Sequence, residues 1–286
     1  MATIRDRIRE LSQGRAILID DHLEVVQTHR VSPNFQRVTL AGDCLATYLN
    51  PRPADAFKID IGTRDAPLIR GFTVCDFDPT RLSFHFDVAL HAGGSASEWS
   101  RTIAAGHRLR FLGFRRDFAI GDGITEHVFI TDASGLPAVA AILRSLPADH
   151  KVILLAETAD RVDRELLEPS IDALGGRIQT QWLVGAPSQG LDSALARAAA
   201  RLSVPEGAQV WLAAESATVR TIRRHLLDEG GVPRGNLHAT AYWICGLTSS
   251  ERDDREAIVY RNAVNDGLDV MDPAIYDRLE FDDQPA

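Results

Sequence analysis

The chain has 286 residues, 45% hydrophobic and 25% charged, a composition that excludes a disordered or collagen-like protein. Its 31 Lys and Arg face 40 Asp and Glu, and the net charge of −9 opposes the phosphate neutralisation that nucleic-acid binding requires. The sequence has three cysteines without metal-ligand spacing and no long apolar run. We therefore expect a soluble cytoplasmic protein with no nucleic-acid partner, no membrane insertion and no bound metal.

The first half of the chain has the pattern of antiparallel β-structure. A short N-terminal helix is predicted, since Ile4, Ile8 and Leu11 are spaced as on one helix face. From about residue 16 to 120, short alternating runs are separated by turn sequences rich in Pro, Gly and Asn. The clearest run is Leu82, Phe84, Phe86, Val88 and Leu90. Residues 1–122 are predicted to form an antiparallel β-barrel.

The second half alternates strands with helices. Strands are predicted near 127–130, 152–156, 178–184, 210–214 and 238–243. Helices are predicted after residue 135, near 163–174, 190–202 and 216–229, and over 255–264 in the charged tail. Ser216 is expected to cap the helix that begins there. Residues 123–286 are predicted to form a doubly wound parallel sheet of the nucleotide-binding type.

Arg70-Gly71-Phe72-Thr73 places a guanidinium, an aromatic ring and a hydroxyl on one extended segment. A guanidinium binds phosphate through several donors, a phenyl ring can cover a flat heterocycle, and a hydroxyl can hydrogen-bond a ring nitrogen. Because side chains alternate along a strand, Arg70 and Phe72 are predicted to share one face. Taken alone, the segment also fits a surface arginine beside a core phenylalanine.

A second motif, residues 91–99, ends the clearest alternating run and begins a helix. Gly93 and Gly94 allow the backbone to approach a ligand closely. The N–H groups of residues 95–97, at the start of the helix, form an anion site suited to a diphosphate. A plain capped turn is the alternative.

Two other patterns resemble reactive sites only in part. His85, Asp87 and His91 share one polar strand face, but no fourth ligand follows and no metal is expected there. Ser134 follows a strand, yet the G-x-S-x-G pattern of serine hydrolases is missing, and a serine before a helix usually caps it. We expect neither a metal centre nor a serine hydrolase.

The motifs, in this order, resemble the siderophore-interacting protein family, which are ferric-siderophore reductases of the ferredoxin-reductase-like superfamily. The first half contributes residues 70–73, 87–91 and 94–99. The second half contributes residues 131–138, Glu157, Trp182, residues 210–216 and Tyr242-Trp243. The resemblance extends from about residue 22 to 246, and several ordered motifs make it more specific than any single one.

The resemblance implies an FAD site in the first domain. Arg70 would bind an FAD phosphate, Phe72 would lie against the isoalloxazine, and Thr73, near its reactive nitrogen, would be the catalytic residue. The remaining cofactor-binding residues implied for the ribityl and diphosphate region are His91, Gly94, Ser95, Ala96, Ser97 and Trp99.

In the second domain, the resemblance implies a nicotinamide nucleotide at the carboxyl edge of the sheet, held by Asp132, Gly135 and Glu215. The fingerprint G-x-G-x-x-G is absent, so the domain need not hold this ligand tightly. Glu157 could accept hydrogen bonds from a ribose diol and would repel a 2′-phosphate. NADH is therefore expected to be preferred to NADPH.

The chain departs from the family pattern at four places. Phe72 stands where Tyr is usual, Ser95 where Pro is common, and residues 113–116 read Gly-Phe-Arg-Arg where Gly-Pro-Arg-Gly is frequent. Ile244-Cys245-Gly246 lacks the basic residues usual at that point. Fewer cations weaken the attraction for anionic ferric siderophores, so the sequence supports FAD more firmly than the acceptor.

The expected function is an FAD-dependent reductase that passes electrons from a reduced nicotinamide, or another donor, to a ferric siderophore. Acceptor-binding candidates are Arg115, Arg116 and Trp243. Three further arginines, expected to form a solvated outward face opposite the buried stripe of their helix, are Arg220, Arg223 and Arg224. Two alternatives stay open: a flavin enzyme redirected to an organic acceptor in a biosynthetic pathway, and a non-redox protein that binds flavin or siderophore.

Overall fold

The computed structural model describes residues 19–48, 50–63, 65–91, 94–185, 190–247 and 249–269, with a few single residues near the ends. Ile4 and Ile8 are helical, whereas Leu11 and most of the predicted N-terminal helix lie outside the described residues. Two β-sheets follow each other along the chain, the first antiparallel and the second parallel.

The strands of the first sheet are β1 (Asp21–Ser32), β2 (Phe35–Ala41), β3 (Ala56–Asp60), β4 (Ile69–Thr73), β5 (Asp76–Asp78), β6 (Ser83–Ala89) and β7 (Arg108–Arg115). Those of the second are β8 (Glu126–Thr131), β9 (Lys151–Thr158), β10 (Ile178–Val184), β11 (Gln209–Glu215) and β12 (Leu237–Trp243). The α-helices are α1 (Ser95–Thr102), α2 (Leu136–Ser145), α3 (Glu168–Leu174), α4 (Ala194–Ala199), α5 (Ser216–Asp228) and α6 (Ser249–Asn265). Among the described residues, no helix combines the length and the hydropathy needed to span a bilayer.

Alternating apolar residues form the interior of the first sheet, whose strand order is β4-β3-β7-β1-β2-β6-β5. The aromatic rings of Phe57, Phe84 and Phe86 are buried there. The ring centre of Phe57 lies 4.7 Å from that of Phe84 and 5.0 Å from that of Phe86, both edge-on. Buried aromatic pairs of this kind stabilise a core beyond the area that they bury.

One extended segment closes this sheet into a barrel. Its first part, β4, pairs with β3, and its second part, β5, pairs with β6. Between them, the Val74 N–H donates to the Asp55 carbonyl at 2.8 Å and the Cys75 N–H donates to the His85 carbonyl at 2.9 Å. The two edge strands of the sheet, β4 and β5, are therefore consecutive in the chain and are linked by these hydrogen bonds. The predicted antiparallel barrel is confirmed.

The second sheet is parallel, with strand order β10-β9-β8-β11-β12, as predicted. Helices α2 and α3 pack on one face, and α4 and α5 on the other. The chain runs outward from β8 through β9 to β10 and then crosses to β11 on the opposite side of β8. The carboxyl ends of β8 and β11 thus flank a topological switch point, where ligands of open α/β sheets bind.

Helix α5 corrects two expectations. The Glu215 carboxylate, rather than Ser216, caps the helix by accepting a hydrogen bond from the Thr218 N–H at 2.9 Å. Arg223 is buried, whereas it was expected to face outward. The reason is that α5 packs against both β12 and the turn at Gly190–Asp192, so its buried face is wider than one apolar stripe.

The carboxylate of Asp163 joins the two domains. It is fully buried in the turn that follows β9, and accepts a hydrogen bond from the Thr158 hydroxyl at 2.6 Å. Across the interface, it accepts one from the Ser32 hydroxyl at 2.6 Å and one from the Asn34 amide at 2.9 Å. These donors lie in the tight turn between β1 and β2, so the contact fixes that end of the barrel against the parallel sheet.

A second contact fixes the connection between β7 and β8, in which the predicted domain boundary at residues 122–123 lies. The Gln209 amide nitrogen, at the start of β11, donates to the Ala119 carbonyl at 2.7 Å. Its amide oxygen accepts from the Gly121 N–H at 2.9 Å. The connection is therefore bound to the second sheet just before β8 begins.

Replacing Asp163 should destabilise the protein. In Asp163→Ala, three donors lose a charged acceptor, and we expect the free energy of unfolding to fall by about 3 kcal/mol. Chemical denaturation measures this, with Asp172→Ala, the removal of an exposed carboxylate on α3, as the matched control. Equal stability of the two variants would contradict a joining role for Asp163.

Candidate functional site

The structure brings together the two motifs of the first domain. Arg70 on β4 donates a hydrogen bond from Nη2 to the hydroxyl of Ser95, the first residue of α1, at 3.1 Å. The rings of Phe72 and Trp99, from the same two elements, have centres 6.2 Å apart. Two sequence features that lie 25 residues apart thus form one surface.

Arg70 and Phe72 share one face of β4, as predicted. They lie opposite Ile59 and Phe57 of β3, whose side chains are buried in the barrel. Arg70 is itself buried, and its Nη1 donates to the Ile69 carbonyl at 2.8 Å. The guanidinium is therefore held in one orientation beside the start of α1.

The start of α1 is shaped by a glycine. A Cβ on Gly94 would lie 2.3 Å from Cε1 of His91, so only glycine allows the imidazole to lie against this turn. The N-cap residue of α1 is Gly94, which has no side chain that could cap the helix. The first N–H groups of a helix have no partner within it, so those of residues 95–97 face this region. Gly93 lies outside the described residues.

Two of the predicted residues in this motif have structural contacts. The Ser97 hydroxyl is buried, accepts a hydrogen bond from the His91 N–H at 3.0 Å and donates to the Ala89 carbonyl at 3.2 Å. Trp99 stacks on Phe86 of the barrel, with ring centres 6.4 Å apart. Both side chains hold α1 against the barrel.

The donor set fits a bound diphosphate. It consists of the Arg70 guanidinium, the Ser95 hydroxyl and the helix start at Ala96, all of which supply positive charge or N–H and O–H donors. Guanidinium groups bind phosphate through several donors, and helix N-termini offer free N–H groups to anions. The residues present are thus compatible with the phosphate region of FAD.

Thr73, at the end of β4, meets the second domain. Its side chain forms a hydrogen bond with the hydroxyl of Tyr242 on β12. Burial raises the pKa of Tyr242 far above its ordinary value, so the hydroxyl stays protonated. Asp117, Arg115 and Asp132 also act on this hydroxyl electrostatically. The predicted catalytic residue therefore lies where the two domains touch.

At the switch point, Asp132, Ser134, Glu215 and Trp243 form one network. One carboxylate oxygen of Asp132 accepts from the N–H and the hydroxyl of Ser134. The other accepts from the Glu215 N–H at 2.9 Å and from the Trp243 indole N–H at 2.8 Å. Burial raises the pKa of Asp132, and these hydrogen bonds oppose that shift. The network joins the ends of β8, β11 and β12.

Glu215 and Gly135 have close packing roles beside this network. One oxygen of Glu215 caps α5, and the other accepts a hydrogen bond from the Cys245 N–H at 3.4 Å. A Cβ on Gly135 would lie 2.2 Å from Oγ1 of Thr131, so a larger residue would separate the turn from β8. The sites predicted for a nicotinamide nucleotide do lie at the carboxyl edge, but their side chains also build that edge.

Glu157 lies near the end of β9, beside β8, and is buried. Burial raises the pKa of its carboxyl to about 7. The nearby negative charge of Asp132 adds to this shift, and the guanidinium of Arg197 opposes it. Glu157 thus exchanges a proton close to neutral pH at the edge predicted for the nucleotide.

The two arginines predicted for acceptor binding have different surroundings. Arg116 forms an ion pair with Asp55, a fully buried carboxylate that also accepts a hydrogen bond from the Tyr48 hydroxyl at 2.6 Å. Arg115 is exposed, and its Nη2 lies 3.2 Å from a carboxylate oxygen of Asp117. Arg116 is therefore part of the barrel, whereas Arg115 faces solvent.

The polar strand face considered for a metal has another role. Arg37 donates to both carboxylate oxygens of Asp87, at 2.7 and 2.8 Å. Burial lowers the pKa of His85, which lies on the same strand, to about 4. Within the part of the chain that the structure describes, no group of three or more His, Cys, Asp or Glu is placed to hold a metal ion.

Asp117 and Asp55 have no recognisable role in the sequence, and Tyr242 stands out there only as part of a motif. Asp55 and Tyr242 have partners distant in the chain, such as Arg116 and Thr73, and a single sequence holds no signal for such pairs. Asp117 follows Arg115 by two residues, so proximity to the predicted arginine was the only available signal.

Two protein-family models match this chain. The model described as "Siderophore-interacting FAD-binding domain" matches residues 59–117, and the model described as "Siderophore-interacting protein" matches residues 124–246. Together they match well over half of the chain. The chain belongs to the siderophore-interacting protein family. The FAD-binding model contains the Arg70 motif and α1, and the second model spans all five strands of the parallel sheet.

Named relatives of this siderophore-interacting protein share about a quarter of its residues. Identity is 24% over 261 residues with the ferric vibriobactin reductase of Vibrio cholerae, covering 83% of this chain and 94% of the relative. It is 24% over 244 residues with the NADPH-dependent ferric-chelate reductase of Escherichia coli, covering 77% and 91%. It is 26% over 234 residues with the mycobactin import ATP-binding/permease protein of Mycobacterium tuberculosis, covering 79% of this chain. The chain spans only 26% of that last protein.

Solved structures of the family have the same fold. The siderophore-interacting protein of Acinetobacter baumannii matches with a TM-score of 0.74 at 21% identity, covering 85% of this chain and 98% of the other. A siderophore utilization protein from T. fusca matches with a TM-score of 0.69 at 28% identity, covering 81% and 95%. A barrel followed by a parallel sheet is therefore the architecture of this family.

Proposed function

We propose that the protein is an FAD-dependent reductase that transfers electrons from a reduced nicotinamide to a ferric siderophore. The observation that carries the proposal is the hydrogen bond between Arg70 and Ser95, which joins both parts of an anion site within the region matched by the FAD-binding family model. The names of the Vibrio cholerae and Escherichia coli relatives, both ferric-chelate or ferric-siderophore reductases, agree with this reaction.

The residues have distinct proposed roles. Arg70, Ser95 and the N–H groups that begin α1 hold the phosphates of FAD. Phe72 would offer a flat apolar surface to the ring system, and the Thr73 hydroxyl, at the end of β4, would be a hydrogen-bond partner for that ring. When bound, FAD supplies the redox chemistry, accepting a hydride from the nicotinamide and passing single electrons to Fe³⁺. The protein contributes position and electrostatics.

The hydrogen bond between Thr73 and Tyr242 connects the end of β4 in the barrel to the end of β12 in the parallel sheet. Burial keeps the Tyr242 hydroxyl protonated, and its hydrogen bond with the Thr73 side chain fixes the position of that side chain at the end of β4. Since Tyr242 comes from β12, this hydrogen bond also sets the distance between the barrel and the carboxyl edge of the parallel sheet. The nicotinamide would enter at that edge, beside Asp132 and Glu157.

The reaction is tested with the purified protein and its spectrum. We expect an oxidised flavin spectrum that NADH bleaches in the absence of oxygen, and that a ferric siderophore restores while ferrous iron is trapped by a chromogenic chelator. Bleaching without recovery by any ferric chelate would contradict the proposal and favour an organic acceptor. A flavin that no nicotinamide bleaches would favour a non-redox binding protein.

The role of Arg70 is tested by FAD affinity. Arg70→Ala should weaken FAD binding by about 10- to 150-fold, since a phosphate loses a charge-assisted hydrogen bond worth roughly 1.5–3 kcal/mol. Arg70→Lys should retain part of the affinity because the charge stays but the fork of donors is lost. Isothermal titration of the apoprotein measures both. The matched control is Arg108→Ala, an exposed arginine on β7. An unchanged FAD affinity in Arg70→Ala would contradict the proposal that Arg70 binds an FAD phosphate.

The choice of nicotinamide is proposed to depend on Glu157. At pH 8 its carboxyl is ionised and should repel a 2′-phosphate, so NADH should reduce the flavin roughly tenfold faster than NADPH. Below pH 7 the carboxyl gains a proton, and the difference should shrink. Stopped-flow absorbance measures the rates.

Two variants sharpen this measurement. Glu157→Gln should give a small difference between the two nucleotides at every pH, because the charge is gone. Glu165→Gln, which removes an exposed carboxylate in the turn before α3, should behave like the unmodified protein. Faster reduction of the flavin by NADPH than by NADH at pH 8 in the unmodified protein would contradict the proposed preference for NADH. That result would match the NADPH dependence in the name of the Escherichia coli relative.

A further inference from the structure

The last strand of the parallel sheet contains a β-bulge at Tyr242. Ala214 of β11 pairs with Ala241 of β12. The next pair joins Glu215 to Trp243, so Tyr242 is an extra residue that has no partner in the register. A bulge changes the direction of the side chains beside it and is common next to active sites. The side chains of Tyr242 and Trp243 therefore leave β12 in directions that a regular strand would not give them.

One carboxylate oxygen of Asp132 holds both strands at this bulge. The oxygen, Oδ2, accepts a hydrogen bond from the Glu215 N–H at 2.9 Å and one from the Trp243 indole N–H at 2.8 Å. Glu215 and Trp243 are the register partners that come directly after the bulge. A single acceptor therefore fixes β11 relative to β12 at the point where their pairing is irregular.

Asp132 is itself fixed to the turn that follows β8. Its side chain is buried, and its N–H donates to the Ala213 carbonyl at 3.3 Å. The second carboxylate oxygen, Oδ1, accepts hydrogen bonds from the N–H and the hydroxyl of Ser134. Of these four donors to the carboxylate, three are N–H groups, which cannot accept a hydrogen bond. The carboxylate is thus held in one orientation by donors from three segments of the chain.

Tyr242 connects the bulge to the barrel. Its ring packs edge-on against Trp211 of β11, with ring centres 6.1 Å apart. Its hydroxyl forms a hydrogen bond with the side chain of Thr73 at the end of β4. Because the ring of a tyrosine is rigid, the position of the hydroxyl follows from the position of the Tyr242 backbone, which the bulge determines. A change in the bulge therefore moves a hydrogen-bond partner of Thr73.

We propose that Asp132 is a positioning residue for the reduction of the flavin. It acts on Thr73 through the bulge at Tyr242, and the inference rests on the proposed function, in which the Thr73 hydroxyl is a hydrogen-bond partner of the flavin ring. A displacement of roughly 1 Å at the reacting groups can slow a reaction about 100-fold. A carboxylate that does not touch the ring can therefore control the rate. This role differs from the nucleotide contact that the sequence predicts for Asp132.

The FAD-loaded protein tests the inference with two measurements, the absorption spectrum of the oxidised flavin and its stopped-flow reduction by NADH. Asp132→Asn replaces one acceptor oxygen by an amide nitrogen, which cannot accept from the N–H groups. We expect shifted absorption maxima and a limiting rate about tenfold lower, with the NADH concentration for half-maximal rate within about twofold of the original. Trp243→Phe, which removes the indole N–H and keeps an aromatic ring, should change the spectrum and the limiting rate in the same direction but less.

A second substitution identifies the path of the effect. Thr73→Val removes the hydroxyl, keeps the shape of the side chain and breaks the link to Tyr242. Adding Asp132→Asn to Thr73→Val should lower the limiting rate by less than about twofold further, because both substitutions interrupt the same path. The matched control is Val152→Ala, which removes buried methyl groups at the amino edge of the same sheet. It should lower the free energy of unfolding and change neither the spectrum nor the limiting rate.

The outcomes separate the inference from the proposed function. An effect of Asp132→Asn that is as large in Thr73→Val as in the unmodified protein would overturn the inference. A change confined to the NADH concentration for half-maximal rate would also overturn it, since Asp132 would then be a nucleotide ligand. Equal slowing by Val152→Ala would reduce the effect to lost stability and overturn it too. If NADH does not reduce the flavin of the unmodified protein, the proposed function fails. The spectrum then decides the inference, which requires a shift in Asp132→Asn that Thr73→Val abolishes.

Discussion

The closure of the barrel by one segment is the constraint on which the site depends. Because β4 and β5 are two parts of the same extended segment, hydrogen bonds to β3 on one side and to β6 on the other fix its path. Arg70 and Phe72 therefore have one possible orientation, toward α1. Thr73 comes at the end of β4, where the segment leaves β3 and reaches the second domain. A single closure thus sets the cofactor site and the domain contact together.

The carboxyl groups of the interface have two kinds of role. Asp163 and Asp132 are buried, and each is surrounded by hydrogen-bond donors from more than one element, so they act as fixed joints of the structure. Glu157, near the end of β9, and Asp117, just after β7, have fewer partners. The same residue type therefore serves both as a fixed joint and, at Glu157, as a group whose pKa burial raises to about 7.

Much of the fold followed from local patterns in the sequence. Alternating apolar residues predicted the barrel strands, and strands alternating with helices predicted the parallel sheet, because both patterns reflect which face of an element is buried. The helix in the charged tail also formed, though it is longer than predicted, at Ser249–Asn265. The hydrogen bond between Arg70 and Ser95 of α1 joins residues 25 positions apart, so no local pattern predicts it. The two could be assigned to one site only because their motifs follow each other in the order typical of the family.

Contacts between distant residues could not be predicted in the same way. Asp163 looks like a solvated carboxylate in a helical region, and only the structure places it against Ser32. Arg116 follows Arg115 directly, and nothing local distinguishes the one that pairs with Asp55. Ser216 has the composition of a helix cap, but the preceding Glu215 also has a carboxylate within reach of the first turn. For Asp163 and Arg116, a partner distant in the chain decided between options that were locally equal.

The contact of Asp163 with the β1–β2 turn has a consequence for how the chain is made. Ser32 leaves the ribosome 131 residues before its partner, and the Gln209 amide that binds the linker comes later still. Domains that emerge first generally fold first. During that interval the barrel is therefore folded without its partner domain, and the β1–β2 turn that later contacts Asp163 is exposed to water. The contact between the two halves therefore forms late in synthesis, and slower translation after the barrel lengthens the time that Ser32 and Asn34 lack their partner.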